Sequence, residues 1–153
     1  MKITIQIDEN CIEDEVIIRC KEFSDLTGKI QKAVSEATSK ETKMELFQDN
    51  KSFYIPVDEI LFFESDSDGI SAHTVDDIFM CRSKLYELEQ ILPWYFRRIS
   101  KSAILNVKKV YSITRNITSS SLVEFQNTPK QIYVSRAYLK PLLSQIEEMR
   151  GIK

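Results

Sequence analysis

Phe96-Arg97-Arg98-Ile99-Ser100-Lys101-Ser102-Ala103-Ile104-Leu105-Asn106 is a short, basic stretch in which polar and apolar residues interleave. Phe96, Ile99, Ala103, Ile104 and Leu105 can anchor one side in a core, while Arg97, Arg98, Ser100, Lys101, Ser102 and Asn106 offer hydrogen-bond groups on the other. Donors held on a rigid anchor suit an anionic partner.

Charge along the chain supports that reading where the overall net of -2 does not. Residues 93–153 hold eleven Lys and Arg against three Asp and Glu, a net of +8. Residues 44–92 hold three against eleven, a net of -8. Clustered cations raise the local potential and steer polyanions, so this asymmetry points to nucleic acid or another anionic surface. The plainer alternative is a solvated basic face paired with the acidic one.

With 153 residues, 42% hydrophobic and 29% charged, the chain can bury one core and carry a small appendage. No basic segment followed by an apolar run opens it, and no apolar stretch approaches the roughly 20 residues that span a bilayer, so a cytoplasmic protein is expected. Cys11, Cys20 and Cys81 are odd in number and lack Cys-x-x-Cys spacing, which fits reduced thiols acting as small hydrophobes. His73 is the single histidine and Gly28, Gly69 and Gly151 are the only glycines. Neither a multi-histidine metal site nor a glycine-rich phosphate loop can be assembled from them, so no cofactor, metal or catalytic residue is expected. Ser71-Ala72-His73-Thr74 alternates like a strand, which makes His73 a half-buried strand residue.

Residues 1–43 read as an appended α/β unit for dimerisation or regulation. Ile3, Ile5 and Ile7 alternate, Val16-Ile17-Ile18 is a second strand candidate, and Ser24 precedes helical spacing through Leu26, Ile30, Ala33, Val34 and Ala37. From Met44 to Lys153 the pattern is mainly β. Hairpins are expected around Asp49-Asn50-Lys51 and around Ser65–Gly69, with a further strand over 78–81. Helical spacing returns at Leu85, Leu88 and Leu92, with Ser83 as candidate cap and Pro93 as the stop. Strands are expected over 110–115, 122–125 and 131–134. A closing helix with Ser135 as cap carries Leu139, Leu142, Leu143, Ile146 and Met149, and Pro141 should either split off its first turn or bend it.

Residues 44–151 resemble a LytTR-type DNA-binding domain. The resemblance rests on an ordered set: Ile60-Leu-Phe-Phe-Glu-Ser65, Arg82-Ser-Lys-Leu-Tyr-Glu-Leu88, the Phe96–Asn106 stretch, and Ile132-Tyr-Val-Ser-Arg136. It implies a short-stranded β-fold with peripheral helices, in a bacterial transcription regulator that enters successive major grooves of double-stranded DNA with loops instead of a recognition helix. Base-reading positions then fall at Asp66, Ser67 and Asp68 in the loop that ends at Gly69, at Lys101, and at Arg136 or its neighbour Ala137. Arg98, Ser100 and Ser102 fall at phosphate-contacting positions, and Asn106 is expected to fix a turn. Lysine or arginine can donate to guanine O6 and N7, while an aspartate can accept from cytosine N4 but is repelled by phosphate. Two features depart from the family pattern: the first loop is acidic, and Ala137 stands where a second arginine is common. The extension is too short for a phosphoacceptor receiver domain, so the chain resembles the stand-alone, response-regulator-like members. Those members imply a homodimer on DNA and a membrane-protein regulator.

Two other classes compete. Trp94, Tyr95, Phe96, Tyr111, Tyr133 and Tyr138 lie in the basic third, where stacking rings would suit an RNA-binding β-domain, although most of them are expected in the core. A protein-interaction module whose acidic and basic faces pair between copies is the other. For Arg98 the competing role is an ion pair with an acidic residue of the middle segment.

Overall fold

A serine ahead of a helical apolar stripe offers an acceptor to the first free amides. In the computed structural model, which describes residues 1–12, 14–38, 42–116 and 118–150, Ser24 does so at the start of helix α1 (Asp25–Thr38). Its Oγ accepts from Thr27 N–H at 3.3 Å, and Thr27 Oγ1 accepts in return from Ser24 N–H at 3.4 Å. The chain divides into two units, Met1–Lys40 and Glu41–Lys153. The first contains α1 but, among the described residues, no strand. The α/β character expected for the extension is therefore corrected to helix plus irregular chain. Ile3, Ile5 and Ile7 alternate, yet they are 86%, 87% and 90% exposed. Alternation marks a strand only when a neighbouring strand takes up its backbone groups, and these residues have no ladder partner.

The second unit is built on antiparallel hairpins. Strands β1 (Lys43–Gln48) and β2 (Lys51–Pro56) meet at Asp49 and Asn50, whose φ values of 52° and 62° are those of the tight turn that matches strand twist. Strands β3 (Phe62–Asp66) and β4 (Gly69–His73) form the next hairpin, and β5 (Ile78–Cys81) follows. Helix α2 (Leu85–Ile91) leads to β6 (Phe96–Ser100) and β7 (Ala103–Asn106), which pair across Lys101-Ser102. Strands β8 (Val110–Thr114), β9 (Ser121–Phe125) and β10 (Gln131–Val134) precede helix α3 (Arg136–Arg150). The ten strands make a seven-stranded sheet in the order β2-β1-β5-β4-β3-β7-β6 and a three-stranded sheet in the order β10-β9-β8.

Period-2 alternation sends successive side chains to opposite faces of the larger sheet, and both faces are covered near its middle. Phe63, Ala72, Phe79 and Ile104 pack on one face against Leu85 and Leu88 of α2. Phe62, Ile99, Ala103 and Leu105 pack on the other against Val123, Phe125, Ile132 and Val134 of the smaller sheet and Leu142 of α3. Strand β7 lies between the two clusters, and all four of its residues are buried.

Three local expectations change. The N-cap of α2 is Lys84, in extended backbone at φ -80° and ψ 159°, not Ser83. Helix α3 runs from Arg136 through Pro141 to Arg150, so the first turn is not split off as a separate turn. The amide that proline lacks would have met the Ala137 carbonyl in the exposed first turn, where water can replace it. Of the cysteines, only Cys81 is partly buried, and burial pushes its thiol pKa up; Cys11 and Cys20 are exposed.

Candidate nucleic-acid interface

The β6–β7 hairpin carries a bulge between Arg98 and Ser100, so its tip bends out of the regular ladder. Four successive carbonyls at this tip are bonded inside the protein. Ile99 O accepts from Ser135 N–H at 2.9 Å, and Ser102 O accepts from Ser65 N–H at 2.7 Å. Between them, Ser100 O accepts from Arg98 Nε at 2.7 Å and Lys101 O accepts from Arg98 Nη2. The remaining Arg98 nitrogen, Nη1, lies 3.1 Å from Glu89 Oε2 on α2. Ser100 Oγ accepts from Ser102 N–H at 3.1 Å, closing the turn. Lys101 is exposed, and its ammonium has no partner among the described residues.

Those bonds gather the positions that the sequence singled out. Strand β3 ends beside the start of β7, with Glu64 opposite Ala103, so the exposed Asp66–Gly69 tip adjoins the Lys101-Ser102 turn. Asp66 Oδ1 accepts from Asp68 N–H at 2.7 Å, and Gly69 sits at φ +122°, a backbone conformation that side chains rarely adopt. The Ser135–Ile99 bond brings the first turn of α3 to the same edge. Arg136 and Ala137 are exposed there, and the Arg136 guanidinium also has no partner among the described residues. Asp66, Ser67, Asp68, Ser100, Lys101, Ser102 and Arg136 therefore occupy three neighbouring tips.

Four other cations of the basic third, Arg97, Lys108, Lys109 and Lys130, are already engaged. Arg97 Nε donates to Gln145 Oε1, and Gln145 Nε2 donates to Trp94 O at 3.1 Å, tying α3 to the segment before β6. Lys108 and Lys109 face Asp58 at 3.5 and 3.9 Å. Lys108 also lies 4.1 Å from the centre of the Tyr95 ring, at the far end of β7 from the tips. Lys130 Nζ donates to Thr74 O at 2.8 Å and Asp77 O at 2.6 Å. Asn106 fixes a turn as expected. It is fully buried, its Nδ2 donates to Asp58 O and Ile60 O at 3.2 and 2.9 Å, and its Oδ1 accepts from Lys108 N–H at 3.1 Å.

The competing role weighed for Arg98, an ion pair with an acidic residue of the middle segment, is the one found, with Glu89, whereas Gln145 as the partner of Arg97 was not anticipated. A signal was present: adjacent strand residues point to opposite faces, so Arg97 and Arg98 could not both meet one ligand. The aromatic expectation is corrected in part, since Trp94, Tyr111 and Tyr133 are exposed while Tyr95, Phe96 and Tyr138 are partly buried. His73 is the half-buried strand residue expected. Its ring stacks on Phe62 at 4.3 Å, and its Nε2 is 3.1 Å from Ser71 Oγ. Burial, aided by the positive Lys130 and opposed by Asp66, lowers its pKa to about 4.

A family profile described as the LytTr DNA-binding domain matches residues 50–147. The chain belongs to the LytTR family. Among its relatives, uncharacterised HTH-type transcriptional regulators of Staphylococcus aureus strains NCTC 8325 and COL are each 29% identical over 147 residues, covering 95% of this chain and 98% of theirs. A solved LytTr DNA-binding domain from Bacillus cereus superposes with a TM-score of 0.61 at 20% identity, covering 74% of this chain and all of that one. That likeness confirms the mainly β LytTR fold with peripheral helices. Within this LytTR domain no two helices are consecutive, so among the described residues it contains no helix-turn-helix.

Proposed function

We propose that this LytTR protein is a cytoplasmic transcription regulator, not an enzyme, that recognises specific double-stranded DNA through its three neighbouring tips. The observation that carries the reading is the convergence of Asp66–Gly69, Lys101-Ser102 and Arg136 on one edge, with Lys101 and Arg136 unpaired among the described residues. Unpaired Lys101 and Arg136 can donate to guanine O6 and N7, and Asp66 or Asp68 can accept from cytosine N4, with Ser67 between them. The hydroxyls of Ser100 and Ser102, 3.3 Å apart beside Lys101, can donate to a phosphate. The transcriptional-regulator names of the Staphylococcus relatives agree with this reading. Two chains occupy paired half-sites, and residues 1–43 supply the contact to the second chain or to a membrane-protein regulator. Trp94, Tyr111 and Tyr133 keep single-stranded RNA as the competing ligand.

Selection of duplexes by the full chain from a randomised pool tests the proposal. A recurring motif in paired copies is expected, bound in preference to scrambled duplex and to single strands. Equal affinity for the selected duplex, its scrambled version and heparin would sink it, and tighter binding to single strands would favour the RNA reading. Sizing of the protein alone distinguishes the protein-interaction alternative, in which assembly occurs without nucleic acid.

A further inference from the structure

Arg98 stands in the middle of the basic stretch, where a phosphate contact was expected, but its guanidinium is turned inward. Each of its three nitrogens has a protein acceptor: Ser100 O, Lys101 O and Glu89 Oε2. The first two acceptors are the backbone carbonyls on either side of the Lys101 Cα, and the third sits on α2. We infer that Arg98, anchored by Glu89, is a positioning residue that fixes the Lys101 turn for base reading and does not itself contact phosphate. This inference rests on the duplex-reading role proposed for Lys101.

The chemistry favours this assignment. The bulge before Ser100 releases the tip from the ladder, so the Ser100 and Lys101 carbonyls need donors from elsewhere. A planar guanidinium can serve two carbonyls and a carboxylate at once; an ammonium, a point charge on a flexible stem, cannot hold that geometry. The Arg98 side chain is 23% exposed, so its ion pair is partly shielded from solvent. Fixing the turn's carbonyls inside the protein also keeps their negative ends away from the phosphates of an approaching duplex. A turn fixed in advance loses less conformational freedom when Lys101 engages a base.

The test uses the full chain, the duplex that the wild-type protein selects from a randomised pool, and a scrambled version, at two salt concentrations. Arg98→Ala and the charge-keeping Arg98→Lys should each lose about 10-fold or more on the selected duplex, and less than about 2-fold on the scrambled one, with the salt slope unchanged. Glu89→Gln should shift affinity in the same direction by less. Adding Arg98→Ala to Lys101→Ala should cost under about 2-fold beyond Lys101→Ala alone, since both remove the same reading contact. In the DNA-free protein, the Lys101 and Ser102 amides should exchange faster in Arg98→Ala than in wild type. Two outcomes overturn the inference. Arg98→Lys could bind like wild type while Arg98→Ala weakens both duplexes alike and flattens the salt slope by about one, which is a phosphate contact. All variants could instead bind like wild type per folded molecule with only a lower Tm, which is a purely structural pair. If the wild type selects no motif, the duplex reading fails on its own, and amide exchange still decides whether Arg98 holds the turn: unchanged exchange overturns it.

Discussion

Lys101 stands at a turn whose carbonyls, from Ile99 to Ser102, are all occupied inside the protein, so a ligand meets its side chain before its backbone. Lys101→Ala should therefore cost about 1 to 3 kcal/mol on the selected duplex and relax the preference at one base pair, a guanine. Equal loss on selected and scrambled duplexes in a titration would remove Lys101 as a base reader. His73 presents the opposite case, a titratable group whose burial acts on stability. Its folded pKa of about 4 lies below the ordinary histidine value of 6.5, so the folded state disfavours the extra proton. The stability it contributes is full above about pH 6.5 and is lost as pH falls through about 4. Urea unfolding at stepped pH should show this decline in wild type and a flatter profile in His73→Gln; identical profiles would show that His73 does not set it.

At the scale of elements, Asn106 joins the end of β7 to the loop before β3 through the Asp58 and Ile60 carbonyls. Asn106→Ala strands the buried Ile60 carbonyl and removes the partner of the part-buried Asp58 carbonyl and Lys108 amide, and should cost about 3 kcal/mol in urea unfolding. A loss under about 0.5 kcal/mol would mean that water replaces the amide. Strand positions outside the Phe96–Asn106 stretch were legible because alternation and turn residues such as Asp49-Asn50 determine them locally, whereas β6 and β7 were read only as an interleaved basic stretch. The three tips were legible as residues, but their meeting at one edge was not, since it depends on which strands pair, β3 with β7 above all. Ile3, Ile5 and Ile7 carried a strand pattern without a partner strand, and sequence alone cannot supply the partner. Arg98 looked like a ligand contact because the rotation that presents Glu89 to it belongs to the packing of α2.

For the whole molecule, the net +8 of residues 93–153 overstates the charge offered to DNA, because Arg97, Arg98, Lys108, Lys109 and Lys130 are engaged internally. If Lys101, Arg136 and the exposed Lys140 each neutralise one phosphate, log affinity should fall against log salt with a slope of about -3 per chain. A slope of zero would exclude phosphate neutralisation, and one steeper than about -5 would require further cations at the interface. Residues 43–153, expressed without the N-terminal unit, should give a folded circular dichroism spectrum and bind a single half-site. An unfolded spectrum would mean that the first unit completes the core. Strand β7 has a further consequence for how the domain comes apart. Ile104 belongs to one hydrophobic cluster and Leu105 to the other, so neither cluster can melt without breaking the strand they share. The two sheets should unfold in one cooperative transition, and the β7 amides should exchange only through global opening.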